Sequence, residues 1–191
     1  MSIIDLKIIL EYVEPAVTRS LKVPANIRLD RLHQIIQAAM GWHNCHLYEF
    51  MAAEVRWGVP DPDFGGDALP ANKSTLWDVI EDTGVKTIHY IYDFGDGWDH
   101  QIKIGKFGDP VPGELYPKLT DVAGTCPPED VGGAPGYEEF LEAMADPKHP
   151  EHDELKEWHG HSFDPNIPQT DELKLDVLKL AKKWKPRKTK T

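Results

Sequence analysis

Polar and apolar residues alternate over residues 3–13, with Leu6, Ile8, Leu10 and Tyr12 on one side and Asp5, Lys7 and Glu11 on the other. A period of two belongs to a strand with one face buried. Val17, Leu21 and Val23 share a face of a partner strand whose ends are marked by Pro15 and Pro24. At Leu29 the period lengthens: Leu29, Leu32, Ile36 and Ala39 or Met40 recur at three-to-four spacing and Gly41 follows, so the pattern predicts a helix closed by glycine. His33 and Gln37 fall off that apolar stripe. Strands are expected at about 46–52 and 55–58, then a Pro/Gly/Asp loop at 60–70. Ser74 or Thr75 caps a short helix in which Asp78 supplies a capping-box acid and Gly84 the stop.

The clearest local pattern lies between Lys86 and Lys106. Ile88, Tyr90, Tyr92 and Phe94 share one face; after Gly95-Asp96-Gly97, Trp98, His100, Ile102 and Ile104 do the same, which predicts a β-hairpin. Trp42, Tyr92, Phe94 and Trp98 are therefore expected in the core. Residues 107–136 are rich in Pro and Gly and hold no sustained period, so a long ordered loop or a partly extended excursion is expected there, with a functional or covering role. Helical stripes resume with Tyr137, Phe140, Leu141 and Met144, then Leu155 and Trp158, then Leu173, Val177, Leu180 and Trp184 after Thr170 or Asp171. Strands first and helices later read as an α+β fold: a mainly antiparallel sheet, built from the N-terminal hairpin and the 86–106 hairpin, with helices packed on one side. Residues 1–181 read as a single domain and 182–191 as a basic tail.

Charge narrows the partners. Of 21 Lys and Arg, six fall in the last ten residues, leaving 15 against 32 acids in the rest. A body so acidic repels phosphate backbones, so nucleic acid is not an expected partner except through the tail, whose charge also suits a helix C-terminus. Two cysteines, Cys45 and Cys126, exclude a disulfide framework and fit a reducing compartment. Apolar runs are far shorter than the roughly 18 residues of a membrane span, and Asp5 and Glu11 interrupt the N-terminal one. No membrane partner is expected, and the expected location is cytoplasmic.

The run from Tyr92 to His100 places Asp93, Asp96, Asp99 and His100 around one hairpin tip. Such groups can coordinate a divalent cation or act as an acid/base pair; equally, the aspartates can hold the turn backbone. His43 and His46, with Cys45 between them, would make a mixed zinc site if Cys126 or His100 came near. His149, His152, His159 and His161 lie in a Pro- and acid-rich segment without H-E-x-x-H and read as a solvated surface. In Cys126-Pro127-Pro128-Glu129-Asp130-Val131-Gly132-Gly133, rigid prolines precede two acids and flexible glycines follow, a composition that suits a loop held against a site. The ten acids between 127 and 157 favour a metal ion or a basic partner there. The candidate ligand site is thus His46, Asp93, Asp96, His100, Glu129 and Asp130. Serine-hydrolase, NTPase and dinucleotide motifs are missing, so no catalytic residue is assigned. No cofactor is required by any motif, and a divalent metal is the one the acidic cluster suits.

These segments together resemble the family named after the third open reading frame of a root-inducing (Ri) plasmid, the plasmid pRiA4b ORF-three-like family. The resemblance rests on Val23-Pro24-Ala25 leading to Leu29-x-x-Leu32-His33, on Ala38-Ala39-Met40-Gly41-Trp42 with His46-Leu47, and on Tyr92-Asp-Phe-Gly-Asp-Gly-Trp98-x-His100. It extends through Cys126-Pro-Pro-Glu-Asp-Val-Gly-Gly133 and Gly136-Tyr137-Glu-Glu to His149-Pro-Glu-His152 and Trp158, over about residues 3–180. It implies a protein carried by mobile elements, in a family whose members are sometimes labelled resolvases. The acidic body here does not fit that label. Relatives favour His where Tyr48 stands and Thr where Arg28 stands.

Three functions follow in order of expectation. The first is a non-catalytic binding or interaction module that presents the hairpin tip and the Pro-Pro-Glu-Asp loop to a protein or small ligand. The alternative is a metal-assisted hydrolase or nuclease using Asp93, Asp96 and His100 with Glu129 or Asp130. The third is a DNA-transaction accessory using the basic tail as its arm.

Overall fold

The computed structural model describes residues 2–60, 67–160 and 162–185. Alternation does what it dictates: β1 (Ile3–Leu10) and β2 (Thr18–Pro24) form an antiparallel hairpin with Leu6 opposite Leu21 and Ile8 opposite Arg19. Helix α1 (Leu29–Met40) ends at Gly41, whose φ of 88° is the left-handed conformation that glycine adopts freely. Then come β3 (Tyr48–Ala52), β4 (Val55–Gly58), β5 (Leu69–Pro70) and helix α2 (Leu76–Thr83), which opens with a complete Thr75/Asp78 capping box. The long hairpin is β6 (Thr87–Tyr92) and β7 (Trp98–Gly108), followed by β8 (Lys118–Ala123), α3 (Gly133–Ala145), α4 (His152–His159) and α5 (Thr170–Trp184).

The eight strands make one open sheet in the order β5-β4-β3-β6-β7-β1-β2-β8, antiparallel throughout except for the β4–β5 pair. With the five helices this is an α+β fold. Ile4, Leu6, Ile8, Phe50, Tyr90 and Ile102 bury one face beneath α1, α3 and α5. Lys7, Glu49, His89 and Gln101 line the other, less covered face.

Four features depart from the sequence reading. Phe94, expected in the core, is 58% exposed, because Asp93 at φ 56° turns the chain out of the strand after Tyr92 and the alternation stops there. His33 and Gln37, off the apolar stripe, are nonetheless buried, since His33 Nδ1 and Gln37 Nε2 meet the Tyr90 hydroxyl at 2.8 and 3.0 Å. β8 occupies part of the expected loop; as an edge strand it buries only Leu119 fully, so its hydrophobic pattern is faint. β5 adds two residues at the end of the expected 60–70 loop, of which 61–66 lie outside the described residues. Arg28 gives α1 no side-chain cap; the carbonyls of Ser74 and Ala71 take the Leu29 and Asp30 N–H groups instead.

Candidate functional site

Three segments converge beside the tip of the β6–β7 hairpin. The first is the 42–47 connection after α1. Trp42 is buried with its ring 5.0 Å from that of Tyr92, and its indole N–H donates to the Pro127 carbonyl at 3.0 Å. The Asn44 side chain bonds His33, its N–H donates to Gln37 Oε1, and the Cys45 N–H donates to the Tyr92 hydroxyl. These bonds fix the backbone on which His46 stands.

The second segment is the turn. Asp93 donates its N–H to the Leu47 carbonyl, accepts the Gly95 N–H on Oδ1, and turns Oδ2 to within 3.5 Å of His46 Nε2. The third is the loop before α3, and it is clamped to the turn. Tyr92 donates to Glu129 Oε1 at 2.6 Å, the His43 N–H donates to Glu129 Oε2, and the Gly132 N–H donates to Asp96 Oδ2. At Gly133, with φ 69°, a Cβ would collide with the Asp96 carbonyl oxygen. The Gly-Gly pair therefore lets the loop close on the tip, which brings Asp130 Oδ1 to 3.1 Å from His46 Nε2.

Of the expected ligand residues, His46, Asp93 and Asp130 come together, with one ligand atom from each within 4.8 Å of the others. His46 Nε2 is shielded from solvent, yet neither carboxylate approaches it with hydrogen-bond geometry. The separations of 3.5 and 3.1 Å from His46 Nε2 are close to those of neighbouring ligands on one cation: with metal–ligand bonds of roughly 2.1 Å, such ligands sit ~3.0 Å apart in an octahedron and ~3.4 Å in a tetrahedron. An imidazole with two carboxylates suits Zn²⁺ or Mn²⁺.

The remaining expected residues lie elsewhere. Asp96 and Glu129 spend their carboxylates on the loop clamp. His100 is wholly buried among Trp42, Tyr90 and Trp98, with Nδ1 3.1 Å from the Tyr90 and Trp98 carbonyl oxygens; burial lowers its pKa to about 4. Asp99 pairs with His89. Cys126 does not join His43 and His46 in a metal cluster, and burial raises its thiol pKa to about 12. His152 bonds the Ala143 carbonyl and His159 packs on Phe140 and Phe163; His161 lies outside the described residues.

A cleft of about 740 Å³ adjoins the cluster and shares Asp130 with it. Trp42, Trp158 and Phe163 supply aromatic lining, Glu129 and Asp164 acidic lining, and Arg19 borders it without solvent-accessible surface. The sequence reading missed Arg19, although the signal was there: it stands two residues from both Val17 and Leu21, on the buried face of β2.

Relatives bear on this geometry. The chain is 48% identical over 184 residues to "Uncharacterized protein y4hQ" of Sinorhizobium fredii, a match that covers 96% of this chain and 94% of that protein. It also matches the crystal structure of MM3350, a protein of unknown function from Methanosarcina mazei Go1, with a TM-score of 0.78 and 32% identity over 87% of this chain and 94% of that one. A family model described as "Plasmid pRiA4b ORF-3-like protein" matches residues 2–172, a span that contains all three segments of the cluster. The chain belongs to the plasmid pRiA4b ORF-3-like family.

Proposed function

We propose that the protein is a non-catalytic binding module that holds a divalent cation through His46, Asp93 and Asp130 and uses it to fix a ligand in the adjoining cleft. The observation that carries this reading is the convergence of three ligand atoms from three separately braced segments, one of which, Asp130, also lines the cleft. Three protein ligands leave coordination positions open for a ligand or water. The clamp through Glu129, Asp96 and Gly133 holds the carboxylates in place before any cation arrives, which lowers the ordering cost of binding. Binding is favoured over hydrolysis because, among the described residues, no fourth carboxylate, imidazole or thiol joins the cluster to serve as a base, and His100 is walled into the core.

Calorimetric titration of the full chain with Zn²⁺ and Mn²⁺ tests the reading. One saturable site is expected, weakened at least about tenfold by Asp93→Asn or His46→Ala. Failure of either ion to saturate, or an Asp93→Asn protein that binds like the parent, overturns it. Turnover of a bis-aryl phosphodiester by the metal-loaded chain would replace it with the hydrolase.

A further inference from the structure

The face of the sheet turned away from the helices carries an arrangement that neither the cation cluster nor the cleft uses. Lys7 of β1 stands directly opposite Lys103 of β7. The register extends this row on both sides, with Ser20 of β2 opposite Lys7 and Thr87 of β6 opposite Lys103. Directly opposed residues of antiparallel strands project from the same face, with their Cβ atoms roughly 4.5–5.5 Å apart. Two ammonium groups are therefore flanked by two hydroxyls across four strands, and both lysines are exposed.

Like charges in direct register oppose folding, so the pair calls for a physical account. Lysines often guard the edge of a sheet, but β7 and β1 are the fifth and sixth strands of eight. Neighbouring lysines are neutralised, Lys22 by Asp5 at 2.6 Å and Lys118 by Glu114 at 2.9 Å. Among the described residues no carboxylate pairs with Lys7 or Lys103, although acids outnumber bases 32 to 15 outside the last ten residues. The two lysines border a hollow of about 320 Å³ together with Ser20, Lys22 and Thr120. Gly105 also lines it: a Cβ there would stand 2.9 Å from the Asp5 carbonyl oxygen, so the irregular β1–β7 register leaves room only for glycine and no side chain fills the space.

We propose that this hollow binds the phosphate group of a small phosphorylated molecule, held between the Lys7 and Lys103 ammonium groups with the Ser20 hydroxyl as a further donor. A phosphate between the two lysines converts their repulsion into two charge-assisted contacts, and lysine is a common phosphate ligand. Two unpaired positive charges match a dianion better than they match a single carboxylate. The volume is at the lower end of small-molecule sites, and the acidic body repels a long phosphate backbone, so the occupant is a small molecule rather than a nucleic acid. The site lies on the other face of the sheet from the helices and does not depend on the cation cluster or the cleft.

The test uses the full chain in excess EDTA, which keeps any metal at His46, Asp93 and Asp130 from recruiting phosphate. Inorganic phosphate, at a pH where it is dianionic, is titrated by calorimetry at constant ionic strength, with acetate and a short DNA duplex as comparisons. Phosphate is expected to saturate one site and to bind at least about tenfold more tightly than acetate. Lys7→Glu decides: it sets a carboxylate opposite Lys103, so without phosphate the variant should melt at or above the temperature of the parent, yet lose at least about tenfold in phosphate affinity. Lys103→Gln removes one charge without reversing it and should weaken phosphate in the same direction, which keeps the test decisive should Lys7→Glu fold poorly. Binding that does not saturate, acetate as tight as phosphate, lysine variants that bind phosphate like the parent, or duplex binding in place of phosphate would each overturn the assignment.

Discussion

Histidines meet the β6–β7 hairpin and its acidic or phenolic groups at two levels, and the levels behave oppositely. In the core, His33 stands on α1 and His100 on β7 of the hairpin, and both are buried. His33 is bonded to Tyr90 and Asn44, His100 is held by backbone carbonyls, and burial lowers each pKa to about 4. At the tip, His46 faces Asp93 and Asp130 at the edge of solvent with an uncommitted Nε2. The residue types are alike; desolvation and the presence of a covering helix decide which imidazole is a neutral core group and which stands beside two carboxylates at the surface.

The comparison can be broken most forcefully at its common foundation. Trp98 is 2% exposed and packs on Trp42 beneath both levels, so Trp98→Ala should cost about 3–5 kcal/mol in a urea melt. A variant as stable as the parent would show that the indole supports neither level.

Acid separates the levels next. Well above pH 6.5 His33 and His100 are neutral in both folded and unfolded chains, and their contribution to stability is full. As pH falls through 6.5 toward 4 the unfolded chain takes up protons that the folded chain refuses, so stability declines, with a slope that approaches about 1.4 kcal/mol per pH unit for each residue near pH 5. Urea midpoints across that window should show the slope, and His33→Gln should remove about half of what this pair contributes. A parent protein whose stability is flat from pH 7 to 5 would mean that the buried imidazoles titrate normally.

Gly133→Ala acts on the clamp alone. The left-handed backbone and the Asp96 carbonyl both oppose a Cβ, so a loss of more than about 1 kcal/mol is expected, together with weaker Zn²⁺ uptake. Unchanged uptake would detach the loop from the site. Smallest in stability is Asp130→Asn: its side chain is 71% exposed, so the melt should move by no more than about 0.5 kcal/mol while cation affinity falls at least about tenfold. A large stability loss with intact cation binding would reverse the roles assigned to the two levels.

Much of this molecule is written in local pattern. The period of two in β1, β2, β6 and β7, the period near 3.6 in α1, α3 and α5, the Thr75/Asp78 box and the Gly41 stop each express a steric or hydrogen-bonding rule that acts within a few residues. Alternation also put His100 on the face of Trp98 and Ile102, which already pointed to the core rather than to a ligand site. β8 was not legible, because an edge strand that buries one full side chain leaves almost no periodic signal. The exposure of Phe94 depended on a single left-handed residue, Asp93, which alternation by itself does not encode.

The site divides along the same line. Sequence alone nominated His46, Asp93 and Asp130, since acids, imidazole and a Pro-Pro-Glu-Asp-x-Gly-Gly loop are unusual at such density. Which of the six nominees come within reach of one another was decided by tertiary structure. Glu129 and Asp96 became the clamp only because Tyr92, His43 and Gly132 arrive from distant segments with donors to satisfy, and His100 was withdrawn by the helices that close over it. Arg19 shows the reason in one residue: its burial follows from a period of two, but its unpaired Nη2 beside a cleft exists only once β2, β8, α1 and the Cys126 loop have packed around it, since long-range hydrogen bonding and desolvation have no local pattern.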